Sequence, residues 1–538
     1  MPTRSFARIL ILLLCAWLVG AASVRTASAQ TPSPSPAATA VVSLESDTSG
    51  PDSLPTGGAM FRKAGLLPWV LICISLALLI QAGFAFVEMG HSWEVQKTHG
   101  FLMSRFGLTA VVILGFWISG FGLMSGIASA REGFSPSSAA DAGLLTVEHT
   151  MMFFGKPFGL FGGTGFFVNP GFGSAAVGSF VFQAVLISLI AAIPGGAMLD
   201  RWSLKSRVAH CLWVGIFPCA VFGNWVWGGG WLAQLGQNFA WGHGAVDFAG
   251  SGVVHLAGGV LAFFGAAAIG PRLGKYDDRN QARDFLIYSR GKIVLGTALL
   301  GFGFLALNVC FAPDVREIGS IILNTLLAAA ASLLTAGITL RLMIGKPDMS
   351  RLSSGFLAGF AAIAAPWLFV SPTGALVVGA CAGVLVVFSM LFVERTLKVD
   401  DPVGAISVHG ACGAFGVLSV GLLANGSSGA GWGGVHKLFK DGVWEIVNAT
   451  PGTRAYYELL LAGGWSDLGV SGGFSTLFGG VANDYAQIKA QCAEVAACLL
   501  FVGTASYLWF KLSDLLVSLR TPVKVDIEKE KLLLGPPE

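Results

Sequence analysis

The chain has 538 residues, 54% of them hydrophobic and 12% charged, with a mean hydropathy of +0.71 and a net charge of +3. Soluble domains carry about 25% charged residues. Half that share, gathered into apolar runs of about 20 residues, excludes a soluble enzyme or nucleic-acid-binding domain and points to a polytopic all-α membrane protein; the runs lack the period-two alternation of a β-barrel.

Residues 1–29 read as a signal peptide, with basic Arg4 and Arg8, an apolar middle from Ile9 to Val19, and Ala27-Ser28-Ala29 as the cleavage site. Residues 30–64, rich in Pro, Ser, Thr and Ala, read as a disordered exported linker. The membrane domain is expected over 65–520. It holds eleven transmembrane helices: 67–90, 104–127, 178–199, 208–228, 246–269, 291–311, 317–342, 354–372, 374–393, 403–424 and a long last one, 486–518. Two loops are enlarged and Gly-rich, 128–177 and 425–485, and 521–538 is a short tail.

A signal peptide places the start of the mature chain outside, and eleven spans then place its C-terminus in the cytoplasm. Charge gives an independent reading. The expected inner loops hold sixteen Lys and Arg, from Lys97 to Lys398, against seven in the longer outer loops, from Arg131 to Lys489. That is the positive-inside bias. Both enlarged loops are then outer loops, and His91 and His99 fall in an inner one, read as solvated.

Two stretches stand out. Asp247 leads through small and apolar residues to Val254-His255-Leu256-Ala257-Gly258-Gly259, and Asp401 leads to Val408-His409-Gly410-Ala411-Cys412-Gly413. Each is an acid followed eight residues later by the histidine of a V-H-x-A-x-G motif. An ionisable residue inside a span is costly and marks a functional candidate. The fifth span runs inward and the tenth outward, so the motif recurs in helices of opposite direction. Two five-helix halves of inverted topology would give this pattern, with a site at their interface near the midplane. At 1.5 Å per residue each histidine lies roughly 10–14 Å deep in a core of about 30 Å, so the two could touch. The cysteines sit in or at the ends of apolar runs, with no CxxC or Cys/His spacing. Neither a metal nor a cofactor is expected, and no nucleophile–base motif or phosphate loop suggests an enzyme.

At these residues the chain resembles the ammonium transporters of the Amt/Mep/Rh family, on the Amt side. The resemblance rests on Trp225-Val226-Trp227-Gly228-Gly229-Gly230-Trp231-Leu232, on Asp247-Phe248-Ala249-Gly250 with Val253-Val254-His255, and on Asp400-Asp401-Pro402 with Val408-His409-Gly410. It covers about 65–520 apart from the long outer loops. It implies a homotrimer in the inner (plasma) membrane with one narrow pore per subunit, ammonium or ammonia as the solute and the bilayer as surroundings. Trp227 would give the vestibule an aromatic face for a cation. Asp247 would cap the start of the fifth span and add negative field. His255 and His409 would form a hydrogen-bonded pair in the pore.

The chain departs from the family at the outer mouth. Leu186 and Leu307 fall where two stacked Phe rings close the family's pore, and Phe304 where a pore-lining Trp is usual. Val309-Cys310-Phe311 replaces a small, hydroxyl-bearing run. Phe302 or Phe304 would compensate if the helix were rotated. The family's acidic cytoplasmic tail motif is absent from 521–538, so a PII-type regulator is not expected. Three functional readings remain open: an ammonium transporter, an ammonium sensor with little transport, and a channel for another small molecule such as methylamine.

Overall fold

Ten helices among the described residues are long and apolar enough to cross a membrane. The computed structural model describes residues 72, 74–92, 98–124, 149–170, 174–312, 315–345, 347–429, 432–440, 443–447, 466–480 and 482–521. The expected signal peptide and linker, and nearly all of the tail, lie outside them. The ten are α1 (Ile74–His91), α2 (Leu102–Met124), α3 (Ala176–Ala197), α4 (Leu204–Val226), α5 (Ser251–Ile269), α6 (Arg290–Cys310), α7 (Glu317–Ile344), α9 (Pro372–Thr396), α10 (Ile406–Leu423) and α11 (Gln487–Val517). Between α7 and α9 lies α8 (Met349–Ile363), only 15 residues long.

The expected eighth span, 354–372, is therefore a broken helix. Pro366 has no N–H and disfavours helical backbone before it. The groups freed at the break find partners in neighbouring elements. Ser251 Oγ accepts from Ala365 N at 2.7 Å and donates to Ala361 O at 2.7 Å. Asn324 on α7 donates to the carbonyls of Trp367 and Val370 at 2.9 and 3.0 Å. Irregular backbone at membrane depth survives only when it is satisfied in this way.

The spans are helical, and strands occur in the long loops. The first long loop forms a hairpin of β1 (His149–Phe153) and β2 (Lys156–Phe161); the second contributes β3 (His436–Lys440), β4 (Val443–Val447) and β5 (Ser466–Leu468), in the order β4-β3-β5. Runs such as His-Lys-Leu-Phe-Lys and Val-Trp-Glu-Ile-Val favour strands. Their open edges lie outside the spans, where water can satisfy them. The β1–β2 turn places Phe154 and Gly155 at φ 50° and 70°. The hairpin docks on the end of α4 and the segment after it: Trp231 N donates to Gly159 O at 3.0 Å and Trp225 Nε1 to Leu160 O at 2.8 Å.

The opposite end of the bundle is held by charge. Arg272 grips Asp400 through Nε and Nη2, both at 2.9 Å, and Arg201 approaches the same carboxylate at 3.3 Å. Arg201 also donates to Gly270 O at 2.8 Å, and Thr521 N to Arg201 O at 2.9 Å. The ends of α3, α5, α9 and α11 thus meet on one buried cluster. His91 lies near this end but is not solvated. Its Nδ1 is 2.8 Å from Val87 O and its Nε2 2.6 Å from Ser350 Oγ, because α1 continues through it and packs near the start of α8. Large apolar side chains such as Leu334 and Leu342 of α7 and Leu500 of α11 point out of the bundle, 66%, 79% and 72% exposed. A hydrocarbon or partner-protein surrounding suits such a surface.

Candidate functional site

The helices α5 and α10 begin alike. Asp247 Oδ1 accepts from Gly250 N at 2.9 Å, and its Oδ2 accepts from Gly252 N and Val253 N at 2.9 and 2.8 Å. Asp401 accepts from Ala405 N at 3.0 Å and Ile406 N at 2.7 Å. Three residues after each acid a glycine turns the chain at positive φ, 98° at Gly250 and 75° at Gly404, backbone that costs glycine little. Each helix then opens on a π-helical turn, Ser251–Leu256 and Ile406–Ala411, of the kind frequent at functional sites. The sequence motif is thus a structural unit used twice: an acid that satisfies the first amides, a glycine bend, a widened turn, and a histidine on that turn.

The two units bring the histidines together. His255 Nδ1 lies 2.9 Å from His409 Nδ1, with the rings nearly parallel at 11° and their centroids 5.0 Å apart. Both residues are 3% exposed. Two neutral imidazoles meeting through Nδ1 must use opposite tautomers, one donating and one accepting. Their Nε2 atoms are then one acceptor and one donor, so the pair can pass a hydrogen bond, or a proton with both tautomers reversed, from one ring to the other. Phe304 stands edge-on to His255 at 5.2 Å between centroids, and Phe84 lies 6.0 Å from the His409 ring. Phe304 therefore lies level with the histidine pair.

At the expected mouth, rings stand beside the two leucines. Leu186 and Leu307 are buried, 1% and 3% exposed. One helical turn from each, toward the hairpin end, stand Phe182 on α3 and Phe311 just past α6. These rings meet edge-to-face with centroids 4.8 Å apart, and Phe311 also packs against Trp227 at 5.8 Å and Phe248 at 6.1 Å. Along one face of α6 the order is Phe311, Leu307, Phe304, each step about a turn of 5.4 Å. Phe302 is 65% exposed and cannot compensate from the bundle interior. The second long loop adds Trp432, which packs on Phe248 and Phe369 at 5.7 and 5.5 Å. Trp227 Nε1 donates to Asp247 O at 2.5 Å, so its ring is fixed by the cap of α5. The signal for Phe311 was present in the sequence: it lies four residues beyond Leu307, as Phe182 lies four before Leu186.

Below the histidines, at the Asp400 end, a cavity of about 360 Å³ is lined by His91, Arg351, Glu394, Asp401 and Ser407. Asp401 is pushed up to about 6 by its burial, against the pull of the Ile406 and Ala405 amides.

Residues 68–532 match the family model described as the Ammonium Transporter Family. The chain belongs to that family. It is 33% identical over 398 residues to ammonium transporter Amt2 of Archaeoglobus fulgidus, covering 72% of this chain and 78% of that one. With ammonium transporter 1 member 3 of Solanum lycopersicum it shares 28% over 456 residues, covering 80% and 92%. Among solved structures it is similar to one titled Sensor Amt Protein, with a TM-score of 0.66 and 26% identity over 86% of this chain and 96% of that one. Mep2 of Saccharomyces cerevisiae, with a TM-score of 0.61 and 20% identity, shares the fold. Ammonium transport is the function of this family, and the chain is a multi-pass membrane protein.

Proposed function

We propose that this chain moves ammonium across the plasma membrane as ammonia plus a separately handled proton, through a pore whose centre is the His255–His409 pair. The observation that carries this reading is the 2.9 Å contact between two Nδ1 atoms on inverted, capped π-turns. A full charge crossing a dry apolar pore would pay a prohibitive desolvation cost; a neutral amine can be passed along two imidazoles. The hairpin end faces outward in this reading, in keeping with the Lys/Arg bias. Recruitment falls to Trp227, Phe311 and Phe182, whose ring faces favour a cation by about 0.5–2 kcal/mol each at best, with Asp247 supplying negative field behind Trp227. Three subunits assemble as the resemblance implies, each with its own pore.

Uptake of ammonium or methylammonium into proteoliposomes tests this. The wild type should transport, and His255→Ala and His409→Ala should each remove most of the flux while the protein stays folded. Uptake indifferent to both substitutions would end the assignment. A sensor with little transport is the second reading, favoured by the crowding of Phe182, Phe311, Leu186 and Leu307 at the mouth. It predicts saturable binding with negligible flux in the same preparation.

A further inference from the structure

One face of α11 carries Gln487, Gln491 and Glu494, at i, i+4 and i+7, all with 0% exposure. The two glutamines hold the segment that leads into Asp247. Gln487 accepts from His243 N and donates to Gly244 O, both at 2.8 Å. Gln491 accepts from Val246 N at 2.9 Å and donates to Val246 O at 2.8 Å and Val417 O at 3.0 Å. Glu494, one turn deeper, has no such role, for among the described residues neither of its carboxyl oxygens has a hydrogen-bond partner. Its place is beside Asp247: a Cβ built on Gly252 would strike Glu494 Oε1 and lie 3.2 Å from Asp247 Oδ2. Gly252 is what leaves room for the two acids to converge.

Among the described residues, the groups around Glu494 offer no counter-charge. Asp247 faces it from the segment entering α5. The thiol of Cys498 on α11, itself beside Cys219 of α4, is the other titratable neighbour, and α10 presents Val417 beside Gly252. Two carboxylates this close, both out of water, cannot both be ionised without a cation between them. Asp247 takes three backbone N–H bonds, which favour its charged form; Glu494 takes none.

We propose that Asp247 and Glu494 are a carboxyl pair holding one proton between them, carried on Glu494, which sets the negative charge behind the Trp227 recruitment site. Glu494 is a positioning residue here: it acts on the solute through Asp247 and makes no contact of its own. With the proton in place an arriving cation meets one negative charge. When the proton leaves to the outer water, the cation meets two, and it is held more tightly. This rests on the reading of Trp227 and Asp247 as the recruitment site.

Infrared spectra of the purified protein in bilayers test the pair directly. The wild type should show the C=O stretch of a buried protonated carboxyl, Glu494→Gln should lose it, and Glu494→Asp, which keeps the acid but draws it back, should shift its frequency. A band unchanged in both variants overturns the proposal. In uptake assays, over the pH range where methylammonium stays protonated, the wild-type KM should fall several-fold as pH rises and that of Glu494→Gln should stay flat. Coincident profiles would also overturn it. A wild type that neither binds nor transports ammonium would instead remove the transport reading and leave the infrared result to decide the pair.

Discussion

Gly259 and Gly410 put the two histidine-bearing helices in backbone contact. A Cβ on Gly259 would lie 3.0 Å from the carbonyl carbon of His409 and nearer still to the backbone of Gly410. The other motif glycine does the same in reverse, since a Cβ on Gly413 would come within 2.5 Å of Ser251 O and 2.7 Å of Leu256 N. The last glycine of V-H-x-A-x-G is thus the crossing point, and it lets two histidines on separate helices reach one hydrogen bond.

Gly259→Ala and Gly413→Ala should therefore separate the rings. Overpacking at such a site costs typically about 1–3 kcal/mol, so both variants should melt at lower temperature than wild type and lose most uptake. Gly291→Ala on α6, where nothing lies within 4 Å of the added methyl, serves as control and should melt unchanged or slightly higher. Equal behaviour of all three would show that the close approach is not needed.

Discrimination of ammonium over potassium should depend on the outer aromatic pair rather than on the leucines. Phe311→Leu and Phe182→Leu remove the ring faces next to Trp227 and should lower discrimination in competition uptake. Leu186→Phe and Leu307→Phe should change it less. The reverse ranking would return the selective step to the leucine level.

Asp400 is expected to hold the end of the bundle opposite the hairpin. Burial opposes its charge, yet Arg272 and Arg201 hold its carboxyl well below the usual range. With the folded pKa depressed, this stabilisation is present above the unfolded value of about 3.9 and is lost as pH falls toward the folded one. Breaking a buried ion pair by removing one partner costs about 3–5 kcal/mol, so Asp400→Asn should lower the melting temperature at neutral pH. That difference from wild type should shrink only in strong acid.

Asp401 has the opposite sign. Its folded pKa of about 6 lies above the unfolded value, so the native state binds the proton more tightly and stability falls as pH rises between about 4 and 6. Asp401→Asn, which keeps one acceptor for the α10 amides, should flatten that part of the stability–pH curve. An unchanged slope in thermal melts across this window would contradict the assignment.

Ser251 should matter to α8 rather than to transport chemistry. Without its hydroxyl the Ala365 N–H loses its acceptor, and an unsatisfied buried donor costs about 1–3 kcal/mol. Ser251→Ala should destabilise by that order in denaturation, and Ser251→Thr should recover part of it.

Much of this was legible in the chain because membrane physics is local and repetitive. Apolar runs had to become helices, since lipid offers the backbone no partner, and Asp247…His255 with Asp401…His409 announced a repeated unit. Where sequence reasoning fell short, a partner distant in the chain decided the outcome. Pro366 could be read as a breaker, but only Ser251 and Asn324 make a broken α8 tolerable. His91 looked like a loop residue until Ser350 was placed against it. The ring contact between Phe182 and Phe311, one turn from Leu186 and Leu307, was not legible because it exists only across two helices. By itself the sequence determined the spans other than the eighth and the repeated acid-to-histidine motif, both set by short-range periodicity and the cost of polar groups in lipid. The tertiary structure alone decided that the rings meet at Nδ1, that the aromatic level lies one turn out, and that Glu494 faces Asp247, because these depend on how helices far apart in sequence rotate and approach.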